Sequence, residues 1–91
     1  MPDLSPLVMR HVLRLFAPED QFEAARLLRD DCSMGNSPAL SERVQCAALK
    51  LSEGRIDRLY DAIALAQTDW RDLLVAAGFA EGPRAHLAWP D

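Results

Sequence analysis

Apolar residues recur at helical spacing along most of the chain, and the most regular stretch runs from residue 40 to residue 79. Within it three apolar faces follow one another with almost no spacer, each with the i, i+3 or i+4, i+7 spacing that places residues on one side of an α-helix. The faces are Leu40, Val44, Ala47, Ala48 and Leu51, then Ile56, Leu59, Tyr60 and Ile63, then Trp70, Leu73, Leu74 and Ala77. This pattern predicts three consecutive helices that pack together.

Two further helices are predicted in the N-terminal third. The first begins after a cap at Asp3 or Ser5, carries Pro6 near its first position and ends near Phe16. Apolar residues occupy more than half of its circumference, so it is either buried on two sides or bound to a partner. The second helix opens at Pro18 with two acidic residues in its first turn, which suits the positive helix N-terminus. Its predicted inner face consists of Phe22, Ala25, Leu28 and Cys32.

Polar residues, prolines and glycines mark the boundaries of the third helix. Residues 33–37 form the clearest loop. Ser37 with Pro38 then predicts the cap and first position of the helix, and a later start at Ser41 is the alternative. Gly54 is the expected left-handed residue that ends it. Because the fourth helix starts directly afterwards, the third and fourth helices form a tight hairpin.

The end of the chain predicts a fifth helix followed by a short segment. Thr68 is a suitable cap for this helix, and Gly78 a suitable end. In the segment 80–91, residues 83–87 can form one helical turn, and Trp89 either folds back over the bundle, which we favour, or remains exposed as a hook. The chain as a whole predicts one all-α domain, residues 1–91, built as a compact bundle of about five short helices with the C-terminal segment packed over it.

Composition and charge narrow the class of partner. The chain is 49% hydrophobic and 26% charged, which is typical of a folded globular protein. Its net charge is −4, and each half carries five basic and seven acidic residues, so no basic segment is available for a phosphate backbone. In a helix-turn-helix built from the fourth and fifth helices, Asp69 and Asp72 would face DNA and repel its phosphates. Nucleic acid is therefore disfavoured as a partner.

The two cysteines predict no disulfide framework and no zinc site. Cys32 and Cys46 stand fourteen positions apart among apolar neighbours, and we interpret them as small buried hydrophobic residues. The first residues lack the basic and long apolar regions of a signal peptide, and no stretch approaches the length needed to span a bilayer. We therefore expect a soluble, cytoplasmic protein with reduced thiols.

Residues that carry chemistry are few and scattered. His11 and His86, the only histidines, stand 75 positions apart without a metal-binding motif, and His11 is expected at the margin of the first helix. Asp57 and Asp61 lie one turn apart on the fourth helix, as on an ordinary solvated face. Hydrolase and nucleotide-binding motifs are absent from the sequence. We therefore predict neither a metal nor a cofactor, and no catalytic residue.

Part of the chain resembles known proteins. The sequences ALKLS at residues 48–52 and TDWRDLLVAAGFA at residues 68–80 are similar to segments of a group of small bacterial proteins of about this length, which are uncharacterised. The resemblance covers roughly the C-terminal half, from Val44 to Trp89. It implies a bacterial, cytoplasmic origin and no particular activity or ligand.

Three functions fit this sequence. The leading hypothesis is a non-enzymatic protein–protein interaction module, with another protein or a second copy as partner, and its candidate interaction residues are Met9, Phe16 and Trp89. The alternative is a small enzyme or ligand-binding domain whose polar groups meet only in the folded chain, for example His11, Tyr60, Asp57 and Arg71. The third hypothesis is the helix-turn-helix nucleic-acid binder.

Overall fold

The computed structural model describes residues 4–32, 37–82 and 84–89, and all regular structure within them is helical. In chain order the elements are α1 (Pro6–Leu15), α2 (Pro18–Asp31), α3 (Pro38–Ser52), α4 (Ile56–Ala77) and a 3₁₀ turn (Ala85–Ala88). The prediction of an all-α bundle is confirmed, but the predicted count of five α-helices is wrong, because the fourth and fifth are one element. The Asp3 cap, the loop at 33–36, Pro83 and Pro90 lie outside the described residues.

Serine caps followed by proline start two of the helices. The Ser5 hydroxyl accepts a hydrogen bond from the Val8 N–H at 3.3 Å, and the Ser37 hydroxyl accepts one from the Leu40 N–H at 3.3 Å. Each hydroxyl satisfies one of the backbone donors that a helix N-terminus leaves without an intrahelical partner. The start of α3 at Ser37 is therefore confirmed, and the later start at Ser41 is wrong.

A single non-helical residue interrupts α4 where the sequence predicts a new helix. Asp69 has φ −156° and ψ 92°, and its Oδ1 accepts hydrogen bonds from the N–H groups of Arg71 at 3.1 Å and Asp72 at 3.4 Å. Asp69 is thus the cap of the second half of α4, while Thr68 donates its hydroxyl to the Ala64 carbonyl at 3.0 Å. One interrupting residue is shorter than the three- or four-residue turn of a helix-turn-helix.

The centre of the bundle is α3. It packs along α4 and also contacts α1 and the 3₁₀ turn, while α2 packs against α4 and α1. Because neighbours cover α3 on several sides, its buried positions are not confined to one stripe; they are Val44, Gln45, Cys46, Ala47, Ala48, Leu49 and Ser52. A helix buried nearly all round is expected at the core of a small domain.

Glutamine side chains from other helices bind the carbonyls at the ends of α1 and α2. Neither of these helices ends in glycine, so another donor has to satisfy their last carbonyl groups. The amide Nε2 of Gln21 lies 3.1 Å from the Phe16 carbonyl, that of Gln45 lies 3.2 Å from the Leu28 carbonyl, and that of Gln67 lies 3.1 Å from the Asp31 carbonyl. The first contact joins α1 to α2, and the other two join the end of α2 to α3 and α4.

The ends of α3 and α4 use left-handed backbone instead. Glu53 and Gly54 have φ 54° and 79°, and Gly78 has φ 80°, as predicted for the glycines. At the end of α4, the Phe79 N–H donates to the Leu74 carbonyl at 2.8 Å and the Gly78 N–H to the Val75 carbonyl at 3.1 Å. This pair of bonds is the Schellman arrangement, which buries Phe79 against the last turn.

The predicted inner face of α2 is half wrong. Leu28 and Cys32 are buried as expected, but Ala24 and Leu27 complete that face, and Phe22 is 80% exposed. At about 100° per residue, Phe22 lies about 200° round the helix from Ala24 and so faces away from the core.

None of the helices in the described residues is long and apolar enough to cross a bilayer.

Candidate functional site

The C-terminal segment lies on the bundle through a stacked aromatic contact. The rings of His11 and Trp89 are 4.1 Å apart between centroids and inclined by 16°. The Arg14 Nη2 lies 2.8 Å from the His11 Nδ1, and the Arg14 guanidinium carbon lies 5.2 Å from the centroid of the Trp89 ring. The prediction that Trp89 folds back is confirmed. The expected position of His11 at the margin of α1 is wrong, because it is fully buried.

A second histidine contact holds the same segment. The His86 Nε2 lies 2.9 Å from the Glu42 Oε1, and the other ring nitrogen of His86 is buried with no hydrogen-bond partner among the described residues. The Phe79 ring packs between the two contacts, 6.5 Å from His86 and 6.2 Å from Trp89 between centroids. We call His11, Glu42, Phe79, His86 and Trp89 the histidine cluster. It brings the two distant histidines into one region of the fold.

The order of groups in the histidine cluster does not suit nucleophilic catalysis. The Ser5 hydroxyl donates to Glu42, and Glu42 in turn binds His86, so the carboxylate stands between the hydroxyl and the imidazole. A serine nucleophile needs the imidazole next to its hydroxyl and the carboxylate beyond it. In the described parts of the chain, no group of three His, Cys, Asp or Glu residues is placed to hold a metal ion. The cluster joins the C-terminal segment to α1 through the His11–Trp89 stack and to α3 through the His86–Glu42 contact, and we call this connection the clasp.

The Glu42 carboxylate gives the clasp a pH dependence. Partial burial raises the pKa of Glu42, but the hydrogen bonds from Ser5 and His86 outweigh burial and hold that pKa below its usual range. A carboxylate with a lowered folded-state pKa contributes stability that is present above the ordinary glutamate value of about 4.3 and is lost as the pH falls through the folded-state value.

We therefore expect wild type to lose its stability advantage over the Glu42→Gln variant as the pH falls below about 4.3. Urea unfolding of both proteins at several pH values between neutral and acidic conditions measures this difference. Glu81→Gln, which changes an exposed glutamate, is the control for the loss of one acidic group. A Glu42→Gln difference that does not change with pH would contradict the assigned role of Glu42.

The other polar residues of the enzyme hypothesis do not come together. The Tyr60 hydroxyl donates to the Glu23 Oε2 at 3.4 Å, Asp57 pairs with Arg55 at 3.1 Å, and the Arg71 guanidinium carbon lies 5.3 Å from the centroid of the Trp70 ring. Each of these contacts is local or exposed, and His11 is buried in the histidine cluster. The geometry thus gives little support to an active site made from these four groups.

Burial in the core makes both cysteine thiols unreactive. Burial, with a smaller contribution from the nearby Asp31 carboxylate, raises the pKa of the Cys32 thiol to about 12. Burial and the charge of Glu42 raise the pKa of Cys46 to about 12 in the same way. Since the thiolate is the nucleophilic and metal-binding form, these cysteines are core residues, as the sequence predicts.

One groove lies between the end of α3 and the first turns of α4. It has a volume of about 400 Å³ and is lined by Leu51, Arg58, Asp61, Ala62 and Leu65. Arg58 also pairs with the exposed Glu53 at 3.3 Å. With one arginine and one aspartate on an open surface, this groove lacks the set of convergent polar groups that fixes a small ligand.

A second groove lies between α1 and α2 and is more apolar. It has a volume of about 290 Å³, and its lining residues are Leu4, Met9, Ala25 and Arg29. Leu13 follows Met9 by one turn and is 55% exposed, and Phe22 precedes Ala25 by one turn. The amide of Gln21, next to Phe22, lies 3.4 Å from the Leu13 carbonyl, which places these two exposed residues at the same end of the groove.

We call Met9, Leu13, Phe22 and Ala25 the α1–α2 face. Of the three interaction residues suggested by the sequence, only Met9 belongs to it; Phe16 is buried in the core and Trp89 is half-buried in the histidine cluster. Sequence reasoning missed Phe22 because it assigned this residue to the inner face of α2. The signal that could have revealed it is the competing stripe of Ala24, Leu27, Leu28 and Cys32, which leaves Phe22 on the outside.

Comparison of the chain with protein-family models, curated proteins and solved structures finds no match.

Proposed function

We propose that this protein is a non-enzymatic protein–protein interaction module that binds its partner through the α1–α2 face. The observation that carries the proposal is Phe22, a large aromatic side chain that is 80% exposed beside an apolar groove. Single exposed apolar residues are common on monomers, but an exposed aromatic residue next to apolar surface is typical of a binding site. Aromatic residues of this kind often dominate the free energy of association.

The pattern of α1 supports the same face. Val8 and Val12 are buried in the core, which explains one side of the apolar helix. Met9 and Leu13 lie on another side, where they line or flank the groove and core packing does not account for their apolar character. The wide apolar circumference of α1 thus serves the core on one side and the α1–α2 face on the other.

Site-specific photo-crosslinking in the cells that produce the protein tests this function. One variant carries Phe22→p-benzoylphenylalanine, which keeps an aromatic side chain at the centre of the face. The matched control carries the same crosslinker in place of Val75, which is 65% exposed on α4. Both positions are largely exposed to solvent, so a specific partner at the α1–α2 face is what should distinguish them.

The expected result is a discrete covalent adduct from position 22 and none from position 75. The mass of the adduct identifies the class of partner, since a second copy adds another 10.1 kDa. Equal labelling from both positions, or no adduct from position 22, would contradict the proposed function.

A further inference from the structure

We infer that the clasp is pH-sensitive: the C-terminal segment is held on α1 while His11 is neutral and is released when His11 takes up a proton. The inference rests on the stack of His11 and Trp89 and on the Arg14 guanidinium beside it. It goes beyond the proposed function, because it concerns the C-terminal segment and does not depend on which partner binds the α1–α2 face.

The contact between Arg14 and His11 determines which form of the histidine is present. The Arg14 Nη2 lies 2.8 Å from the His11 Nδ1. A guanidinium has only donors and keeps its charge in proteins, so the ring nitrogen has to be the acceptor. A histidine nitrogen accepts a hydrogen bond only when it carries no proton. In the closed arrangement His11 is therefore neutral, with its proton on Nε2.

A proton on the His11 Nδ1 is incompatible with this contact. It would place one N–H group against another, so the hydrogen bond from Arg14 would be lost. It would also put a second positive charge beside the guanidinium at a fully buried ring, where water screens the repulsion poorly. Since a buried imidazolium regains its hydration once the segment has left, protonation favours release.

The Trp89 ring offers little compensation for that charge. A cation stacked on tryptophan is attracted by the face of the ring. The Arg14 guanidinium carbon already lies 5.2 Å from the centroid of the Trp89 ring, however, so this ring already faces one cation. A charged His11 would have to share the ring with Arg14 and would be repelled by it.

The surrounding charges oppose a further cation as well. Other titratable or charged residues on the elements that meet at the histidine cluster are Arg10 on α1, Glu42, Arg43, Cys46 and Lys50 on α3, and Glu81, Arg84 and His86 after α4. Cationic side chains outnumber carboxylates in this described part of the fold. The Glu42 carboxylate is engaged by the Ser5 hydroxyl and by His86. Ser5 precedes His11 by six residues, which is about 9 Å along α1.

The second contact of the clasp does not share this sensitivity. The His86 Nε2 lies 2.9 Å from the Glu42 Oε1. A carboxylate accepts a hydrogen bond from a neutral or a charged imidazole, so this contact survives protonation of His86. The two histidines thus differ in their partners, a cation for His11 and an anion for His86, and we assign the response to His11.

The direction of the response follows from which form binds the proton. A histidine in water titrates near pH 6.5, and the closed form opposes protonation of His11, so closure is fully favoured above about pH 6.5 and is lost as the pH falls. If the closed form binds no proton, the closing equilibrium constant falls about tenfold per pH unit, or about thirtyfold by pH 5. Glu42 stays charged there, because hydrogen bonds hold its pKa below the usual range.

Urea unfolding of the full chain, followed by circular dichroism at about pH 7.5 and about pH 5, tests the inference. The quantity measured is the factor by which Trp89→Ala raises the unfolding equilibrium constant, since this factor reports how strongly Trp89 holds the closed form. It should fall by up to about thirtyfold between the two pH values. The same factor at both pH values would overturn the inference.

Variants of the two histidines assign the response. His11→Phe keeps a ring for Trp89 to stack on, and His11→Gln keeps an acceptor for Arg14, but neither side chain titrates. In both backgrounds the Trp89→Ala factor should be independent of pH, and if one variant does not fold the other decides.

His86→Gln is the matched control, because its amide can still donate to Glu42. This background should keep the wild-type response. A response that persists in the folded His11 variants, or that disappears in His86→Gln, would show that a group other than His11 releases the segment and would overturn the inference.

Discussion

Gly54→Ala is expected to lower the free energy of unfolding by about 2 to 4 kcal/mol, for two physical reasons that add. Gly54 has φ +79°, a left-handed conformation that costs a non-glycine residue about 1 to 2 kcal/mol. A Cβ at this position would also lie 2.5 Å from the Leu15 carbonyl oxygen. The end of α1 therefore has to move before an alanine fits in the turn between α3 and α4.

Gly78→Ala is the matched control, because it shares the left-handed conformation without the close approach. Gly78 has φ +80°, and the nearest atom that a Cβ would meet is the flexible Lys50 Nζ at 3.8 Å. We expect a loss of about 1 kcal/mol for this variant. Urea unfolding followed by far-ultraviolet circular dichroism measures both losses. Equal losses for the two alanine variants would show that α1 does not approach Gly54 as described.

Trp89→Ala is expected to lower the free energy of unfolding by about 2 to 3 kcal/mol, less than a fully buried tryptophan because Trp89 is half-buried. The substitution removes the ring that stacks on His11 and packs near Phe79. His11 would then become accessible to water, so amide hydrogen exchange in the C-terminal half of α1 should accelerate. Both effects follow from the histidine cluster as the clasp of the C-terminal segment.

Leu87→Ala distinguishes the clasp from a general effect of altering the C-terminal segment. Leu87 lies in the 3₁₀ turn that precedes Trp89 but is 49% exposed, so its replacement should change the free energy of unfolding by no more than about 0.5 kcal/mol. Circular dichroism is the appropriate probe, since the substitution at Trp89 changes the fluorescence directly. Similar small effects for Leu87→Ala and Trp89→Ala would contradict the clasp.

Local signals in the sequence predicted the helix boundaries well. Ser37 with Pro38, and Gly78 at the end of α4, act through hydrogen bonds and backbone angles within a few residues, so sequence alone contains what determines them. The interruption of α4 fell within one residue of its predicted position, at Asp69 instead of Thr68, because both side chains can accept a backbone N–H. Short-range chemistry thus specifies most of the secondary structure.

The buried face of α2 could not be predicted as reliably from the sequence, because two different sides of that helix carry apolar residues. The stripe with Phe22 and Ala25 contains the largest side chain, but burial of both Leu27 and Leu28 requires a face centred between them. Packing against α4 and α1 decides between the stripes, and this packing is a property of the whole bundle. The exposed Phe22, which carries the proposed function, is a consequence of that choice.

Short-range sequence patterns could not predict the histidine cluster either. His11 and His86 are far apart in the chain, and neither has a nearby residue that marks it as buried. Their burial depends on the return of the C-terminal segment, which brings Trp89 to α1 and His86 to Glu42 on α3. Only Met9 among the predicted interaction residues lies on the α1–α2 face, because periodicity alone shows that α1 has surplus apolar surface but not which part remains exposed.

Native mass spectrometry of the protein, freshly purified under mild conditions from the cells that produce it, tests the central proposal most directly. It measures the mass of the intact complex, so a bound protein, metal ion or small molecule is detected by the mass that it adds. The interaction module predicts a dimer of the 10.1 kDa chain, or a complex with another protein, that carries no added small mass and dissociates in Phe22→Ala. A monomer that retains a metal ion or a small molecule, and does so equally in Phe22→Ala, would contradict it.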